Sequence, residues 1–230
     1  MLLFFEVNMD LNIDNYKALI FDMDGTLFDT MGMWAELDRK FFKDRSMPYP
    51  EGLEKAVSGL SMDETADYFL SHFDIKENKK ELKSIWNHMA YDFYHDEAKL
   101  KPGALELLKY LRKKNIKSAL ATSNSRELVN ACFEGNDLFD YFDVIVTSNE
   151  VSHGKPAPDI YLMASQMLSV APSDCLVFED VINGINAGLG AGMTVCGIDD
   201  DNSSDTSSIK RKLANYYIKD FTGLIKNERI

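Results

Sequence analysis

Four short polar segments carry the residues that could do chemistry in this 230-residue chain. The first holds two aspartates two positions apart, Asp22 and Asp24, followed by Gly25. Residues i and i+2 of an extended backbone point the same way, so both carboxylates could face one site. Glycine permits the sharp turn that must end the strand. The other three segments are Thr122-Ser-Asn-Ser-Arg126, Gly154-Lys-Pro-Ala-Pro-Asp159 and Glu179-Asp180.

The acidic residues of these segments predict a magnesium site. If Glu179 and Asp180 join Asp22 and Asp24, four carboxylates repel one another, and the repulsion raises some of their pKa values. A divalent cation removes that repulsion. Ligands that are all oxygen favour Mg²⁺ over zinc or copper.

Such a site suits phosphoryl transfer. A carboxylate can attack phosphorus and form an aspartyl phosphate that water later hydrolyses. A second carboxyl group, kept protonated, can donate its proton to the departing alcohol and afterwards deprotonate the water. Thr122 and Lys155 would hold the phosphate oxygens and stabilise the developing charge.

The elements that position these segments are short apolar runs alternating with helical patterns. Runs of this kind are typical of parallel strands whose two faces are both covered. The alternation predicts an α/β fold, a Rossmann-like parallel sheet with helices on both faces. The predicted strands are Ala18–Phe21, Ser118–Thr122, Val144–Thr147, Cys175–Phe178, Thr194–Ile198 and Tyr216–Ile218; the predicted helices are Gly103–Asn115, Ile160–Leu168 with Asp159 as N-cap, and Ile182–Ala191.

One long segment interrupts the alternation. Between the first strand and Leu100 no convincing strand pattern occurs, and Ser61-Met-Asp-Glu64 predicts a capping box that starts a helix. We expect an inserted all-α helical cap domain over residues 31–97, called the cap below, and a core domain formed by residues 1–30 and 98–230. The cap should lie over the crevice at the carboxyl ends of the strands, where open α/β sheets bind ligands.

The polar segments resemble, in order and spacing, the four signature motifs of the haloacid dehalogenase superfamily. The sequence is most similar to its β-phosphoglucomutase-like phosphatase branch, which carries a helical cap after the first motif. The resemblance implies a Mg²⁺-dependent phosphatase that hydrolyses a small phosphorylated metabolite, such as a sugar phosphate, through an aspartyl phosphate. The matching stretches are Asp22–Thr30, Thr122–Asn124, Gly154–Asp159 and Phe178–Asp180.

The resemblance also implies roles for the acidic residues. Asp22 would be the nucleophile and a metal ligand. Asp24 would be the general acid and base, and its backbone carbonyl would be a further metal ligand. Asp180 would bind the metal directly, with Glu179 in or next to the ligand shell.

Other residues of the motifs are expected to meet the substrate. Thr122, Ser123 and Lys155 would bind phosphate. Possible substrate contacts are Thr30, Asn124 and Arg126. Thr30 could equally be part of a hinge, and the Arg126 guanidinium could equally lie in solvent.

Three positions bear on which activity the chain has. Asp24 is absent from enzymes of the dehalogenase type, so its presence favours phosphate chemistry. The mutases of the nearest branch carry a histidine where this chain has Trp34, and a phosphate-binding arginine where an ungapped alignment places Met62. Hydrolysis is therefore favoured over the alternative, a sugar phosphomutase. A non-catalytic phosphate-binding module is a further alternative, but binding alone needs no acid or base.

Composition limits the partners. The formal net charge is −12, and no basic stripe is present, so we expect neither nucleic acid nor an anionic membrane surface as partner. No apolar run approaches the roughly 18 residues that span a bilayer. The cysteines are three in number and widely spaced, which favours a reducing, cytoplasmic compartment. We expect a monomer that acts on a small-molecule phosphate ester.

Overall fold

A parallel sheet forms the centre of the computed structural model, which describes residues 11–57, 60–200 and 206–225. Within these residues its strands are β1 (Ala18–Phe21), β2 (Lys117–Thr122), β3 (Val144–Thr147), β4 (Cys175–Glu179), β5 (Thr194–Ile198) and β6 (Tyr216–Ile218). They lie in the order β3-β2-β1-β4-β5-β6. The predicted α/β fold class is confirmed, and strand bounds differ from the prediction by at most one residue.

The central strand β1 places the first polar segment between two neighbours. It pairs in parallel with β2 and with β4, so that Phe21 lies opposite both Leu120 and Phe178. Because all strands run the same way, their carboxyl ends meet at one edge of the sheet. The chain leaves β1 toward β2 and β3 on one side and returns to β4 on the other, which creates a crevice at that edge.

Helices cover the sheet and fill the long connection after β1. In chain order they are α1 (Met31–Asp44), α2 (Leu53–Val57), α3 (Met62–His72), α4 (Lys79–Asp92), α5 (Ala104–Lys114), α6 (Arg126–Gly135), α7 (Asp159–Leu168), α8 (Ile182–Gly190) and α9 (Ser207–Leu213), with a π-helical turn at Phe93–Glu97. Asp159 is the first residue of α7 and Pro158 is its N-cap, one position earlier than predicted. No described helix has the length and apolar character needed to cross a bilayer.

The strand residues alternate between two apolar layers. Leu19 and Phe21 pack with α5 and α6, whereas Ala18 and Ile20 pack with α7 and α8. Every side chain of β1 is fully buried, as expected for a central strand with helices on both faces.

The cap has an apolar cluster of its own. Phe41, Phe42 and Phe69 form its centre, together with Leu82 and Trp86. The predicted capping box is present, since the Ser61 hydroxyl accepts a hydrogen bond from the Glu64 N–H and the Glu64 carboxylate accepts one from the Ser61 N–H. The helices that connect β1 to β2 along the chain therefore pack around an apolar cluster of their own.

The contact between the π-helical turn and α6 can be tested by stability. A Cβ at Gly135 would lie 1.7 Å from the His95 carbonyl oxygen, so the backbone must shift. We expect Gly135→Ala to lower the free energy of unfolding by about 1–3 kcal/mol, the usual cost of overpacking. Urea unfolding measures the change.

Gly32 in α1 provides the matched control. In the described part of the chain, no atom beyond its chain neighbours and the backbone of its own helix would lie within 4 Å of a Cβ at this position. Gly32→Ala should therefore leave stability unchanged or raise it by up to about 1 kcal/mol, through helix propensity. Equal stabilities of the two variants would contradict the proposed close contact.

Candidate active site

A buried lysine joins two of the predicted acidic residues. The Lys155 ammonium donates to Asp22 Oδ1 at 2.5 Å, to Glu179 Oε1 at 2.6 Å and to the Ala121 carbonyl at 3.2 Å. Asp22 extends β1, and its N–H donates to the Phe178 carbonyl at 3.0 Å. The structure therefore brings together residues at or after the carboxyl ends of β1, β3 and β4.

The charges of this group are strongly coupled. Burial raises the pKa of Asp22 to about 7; Lys155 opposes this effect and Glu179 adds to it. Burial alone would lower the pKa of Lys155, but the neighbouring Asp22 and Glu179 raise it above its usual range. Lys155 therefore stays charged, although its side chain is only 2% exposed.

Both oxygens of Glu179 are used within the protein. Oε1 accepts from Lys155 and from the Tyr161 hydroxyl at 2.9 Å, and Oε2 accepts from the Asp180 and Val181 N–H groups. Gly184 packs directly against this carboxylate, since a Cβ there would lie 1.7 Å from Oε1. The geometry thus gives Glu179 a clear part in holding Lys155. Tyr161 was missed by sequence reasoning.

Asp180 offers an oxygen that could bind a cation. Its Oδ1 accepts from the Thr26 hydroxyl at 2.8 Å, but Oδ2 is buried and has no hydrogen-bond partner among the described residues. Burial, followed by the charges of Glu179 and Asp22, raises the pKa of Asp180 well above its ordinary value. An unpaired buried acceptor is costly unless a proton or cation meets it.

The acidic cluster and its surroundings fit a divalent cation. One carboxylate oxygen from each of Asp22, Glu179 and Asp180 lies within 4.8 Å of the others. Gly25 leaves space beside these carboxylates. Its φ is +76°, and a Cβ added at this position would lie 2.4 Å from Asp180 Oδ2. All donors are oxygens, as Mg²⁺ prefers. The Asp24 carboxylate, predicted to lie in the same cluster, belongs to a separate network.

That second network surrounds Asp24 with neutral donors. Oδ1 accepts from the Thr30 hydroxyl at 2.6 Å and from the Tyr94 hydroxyl. Oδ2 accepts from Asn124 Nδ2 at 3.0 Å. The Trp34 indole N–H in turn donates to the Tyr94 oxygen at 2.9 Å. Tyr94 lies 70 residues from Asp24, and nothing in the sequence indicated this contact.

Of the remaining predicted site residues, three line the cleft and Arg126 does not. Thr122 is buried at the end of β2, where its hydroxyl oxygen accepts from the Asn124 N–H at 3.0 Å; both residues and Ser123 line the cleft. The Arg126 guanidinium instead donates to the Ile145 carbonyl and to Glu150, at 2.8 and 2.5 Å. Arg126 is not among the residues that line the cleft, so the structure does not support a substrate contact for it.

Comparison with known proteins places the site in a family. The family model of haloacid dehalogenase-like hydrolases matches residues 19–198, a span that contains all four polar segments. The chain belongs to the haloacid dehalogenase-like hydrolases.

Relatives of this hydrolase include phosphatases and a mutase. It is 34% identical to a phosphorylated carbohydrates phosphatase of Thermotoga maritima, over 77% of this chain and 82% of that protein. It is 31% identical to a validoxylamine A 7'-phosphate phosphatase of Streptomyces hygroscopicus, over 80% of this chain and 85% of that protein. The crystal structure of a β-phosphoglucomutase from Clostridium difficile superposes with a TM-score of 0.78 at 25% identity, covering 92% and 94% of the two chains.

The cleft of this hydrolase lies between the sheet edge and the cap and has a volume of about 770 Å³. Asp38 of α1 lines it, and in the described residues its carboxylate accepts no hydrogen bond. Burial raises the pKa of Asp38 to about 7, with a further increase from Glu54 and an opposing effect of Arg39. Sequence reasoning missed Asp38, although its spacing of four from Trp34 puts both on one helix face.

The raised pKa of Asp22 should make the stability of the metal-free hydrolase depend on pH. In the folded state the Asp22 carboxyl keeps its proton up to about pH 7, whereas in the unfolded chain it loses the proton at about pH 4. The folded state binds more protons in this window, so the free energy of unfolding should fall as the pH rises through it.

Urea unfolding in the presence of EDTA, from about pH 4 to about pH 8, measures this slope. Asp22→Asn removes the titrating group and should reduce the slope. A slope that is the same in the variant and in the wild type would show that Asp22 does not carry the raised pKa.

Proposed function

We propose that the chain is a Mg²⁺-dependent phosphatase that hydrolyses a small phosphorylated metabolite through a phosphorylated Asp22. The single observation that carries the proposal is the pair of aspartates in one cleft with different partners. Asp22 is held by charged Lys155 beside the unpaired oxygen of Asp180, and Asp24 is held by neutral donors. The family assignment and the named phosphatases among its relatives support the same function.

Asp22 and Asp180 would hold the magnesium ion, with the Asp24 carbonyl as a further ligand. When bound, the ion supplies positive charge to the phosphate oxygens and to the attacking carboxylate. Glu179 orients Lys155, and the Lys155 ammonium neutralises charge that gathers on the phosphate.

The chain's own groups account for both steps. An oxygen of Asp22 attacks phosphorus and the bond from phosphorus to the alcohol oxygen breaks, while Asp24 gives its proton to the departing alkoxide. Water then attacks the phosphorus of the aspartyl phosphate and gives a proton to Asp24. This step releases phosphate and regenerates the Asp22 carboxylate. Thr122 and Ser123 lie in the cleft beside these atoms and would bind the phosphate.

The cap supports hydrolysis over the mutase alternative. Trp34 occupies the position of the mutase histidine, and its N–H is already engaged by Tyr94. Met62, at the position of the mutase arginine, is apolar and lines the cleft. Because neither Trp34 nor Met62 can bind a second phosphate as the mutase histidine and arginine would, we expect the chain to release phosphate. The division into a core (1–30 and 98–230) and a cap (31–97) is part of this proposal.

The charges on the cap wall favour a substrate with one phosphate and an uncharged, hydroxyl-bearing remainder. The Asp38 carboxylate has an open acceptor. Among the charged residues of α1 and α2 that line the cleft, acids outnumber bases by three to two, and Arg39 pairs with Glu54 at 3.2 Å; the acids are Glu36, Asp38 and Glu54, and the bases are Arg39 and Lys55. A substrate hydroxyl can donate to Asp38, whereas a second anionic group would be repelled. This supports a sugar or polyol phosphate. Action as a cytoplasmic monomer, away from nucleic acids and membranes, remains a prediction from composition.

Phosphate release from a panel of phosphomonoesters tests the proposed function. The panel contains glucose 6-phosphate, sorbitol 6-phosphate, uridine 5'-monophosphate and p-nitrophenyl phosphate, each with Mg²⁺. We expect turnover of at least one ester. EDTA should abolish it, and Asp22→Asn should lower it by ~10³-fold or more, as removal of a nucleophile does.

Asp140→Asn changes an exposed carboxylate outside the cleft and should keep full activity. Undiminished turnover by Asp22→Asn, or turnover that EDTA does not affect, would refute the mechanism. Interconversion of sugar phosphates without release of phosphate would favour the mutase.

The role of Asp38 in selecting the substrate predicts a preference between two esters of similar size. At about pH 8 the Asp38 carboxylate is charged, and we expect kcat/KM for glucose 6-phosphate to exceed that for 6-phosphogluconate by about tenfold, since each tenfold ratio needs only about 1.4 kcal/mol. Asp38→Asn should reduce the ratio to about twofold. The control is Asp44→Asn, on the same helix but outside the cleft. If the ratio of kcat/KM for the two esters is unchanged in Asp38→Asn, Asp38 does not discriminate against the second negative charge of the substrate.

A further inference from the structure

Within the described residues, the neighbours of the Tyr94 hydroxyl leave one acceptor for its proton. A phenol hydroxyl donates one hydrogen bond and can also accept hydrogen bonds. The indole N–H of Trp34 and the Nδ2 of Asn124 donate to this oxygen at 2.9 and 2.8 Å, and neither group can accept. Neither neighbour can take the Tyr94 proton, so it lies toward Asp24 Oδ1, the remaining partner among the described residues.

The orientation of the Asn124 amide is fixed independently. Its Oδ1 accepts from the Ser125 N–H at 2.7 Å, and a backbone N–H can only donate. Its Nδ2 therefore faces Asp24 and Tyr94, and the assignment does not depend on a choice between oxygen and nitrogen at this side chain. The directions in which Asn124 and Tyr94 donate therefore follow from chemistry.

The two oxygens of Asp24 are consequently unequal. Oδ1 accepts from Thr30 and Tyr94, which uses both of its lone pairs. Oδ2 accepts only from Asn124 among the described residues, so one lone pair remains for a proton. Asp24 lines the cleft, and a proton on Oδ2 is therefore the one that can reach a substrate.

We propose that Trp34 and Tyr94 are positioning residues that reserve Asp24 Oδ1 as a permanent acceptor, so that the proton of the reaction is carried on Oδ2. The proposal rests on the proposed phosphatase function. It adds two cap residues that act through Asp24: Trp34, which also lines the cleft, orients Tyr94, and Tyr94 orients Asp24. In the first step the proton leaves Oδ2 for the alkoxide oxygen, and in the second Oδ2 takes a proton from water.

The network ties Asp24 to both connections between core and cap. Thr30 is the residue before α1, where the chain enters the cap, and Tyr94 lies in the π-helical turn where the chain leaves it. Tyr94 is fully buried, and its ring packs against that of Trp34 with centroids 6.2 Å apart. The direction of the Asp24 carboxylate therefore depends on the placement of both connections.

The test compares two leaving groups. p-Nitrophenolate leaves without a proton, whereas an alkoxide needs one, so only alkyl esters depend on the acid. The ratio kcat/KM covers the steps up to formation of the aspartyl phosphate, in which Asp24 acts as the acid. Asp24→Asn should lower kcat/KM for the best alkyl phosphate of the panel by about 10²- to 10⁴-fold, the usual contribution of a general acid, and that for p-nitrophenyl phosphate far less.

Tyr94→Phe, which removes one oxygen, should lower kcat/KM for the alkyl ester by about tenfold and that for p-nitrophenyl phosphate by less than about twofold. Trp34→Phe should show the same selectivity with a smaller loss, and it serves as the test if Tyr94→Phe does not fold. Tyr217→Phe is the control, because Tyr217 is also buried and donates to a carboxylate, Asp199, at 2.8 Å, but it lies outside the cleft.

The outcomes separate the two proposals. Equal losses for both esters would mean that Tyr94 and Trp34 are merely structural, and no loss for either ester would mean that the hydrogen bond does not position Asp24. Each result overturns the positioning role while the phosphatase stands. If the wild-type chain hydrolyses neither ester with Mg²⁺, the proposed function itself fails.

Discussion

The ion pairs of Lys155 constrain the whole site. A buried ammonium loses its hydration, and in proteins this penalty is several kcal/mol unless partners replace the water. Asp22 and Glu179 supply the replacement at 2.5 and 2.6 Å. Each of the three residues comes from the end of a different strand or the loop after it, so the compensation exists only when β1, β3 and β4 are in register. The fold and the charge balance of the site therefore depend on each other.

The same ion pairs leave one buried acid of the site without a hydrogen bond from Lys155. Lys155 donates to Asp22 and Glu179 but not to the third buried acid, Asp180, whose Oδ2 accepts no hydrogen bond in the described residues. Protonation or a cation can satisfy this oxygen. The raised pKa values of Asp22 and Asp180 show the first response, and the oxygen donors are suited to the second. The arrangement thus favours a divalent cation next to the Asp22 carboxylate.

Much of the fold could be predicted from the sequence, because parallel strands buried on both faces leave continuous apolar runs. The convergence of the four polar segments followed from their positions after those runs. The contacts of Tyr94 and Tyr161 could not be predicted, since an isolated tyrosine in a helical stretch gives no indication of a partner 70 or 18 residues away. The direction of Arg126 was also beyond prediction: it depends on Glu150, whose position is set by the turn after β3.

The spacing of polar residues on α1 links the two ends of the cleft. Thr30, Trp34 and Asp38 are four residues apart, and residues at this spacing lie on one face of a helix. Thr30 bonds Asp24 directly and Trp34 reaches it through Tyr94, whereas Asp38 lines the cleft farther along the same face. A rotation or shift of α1 would move all three together, because a helix behaves as a rigid element over two turns. The proposed recognition of the substrate at Asp38 and the proposed alignment of Asp24 would therefore be coupled through one helix, so that a substrate which displaces α1 would also disturb Asp24.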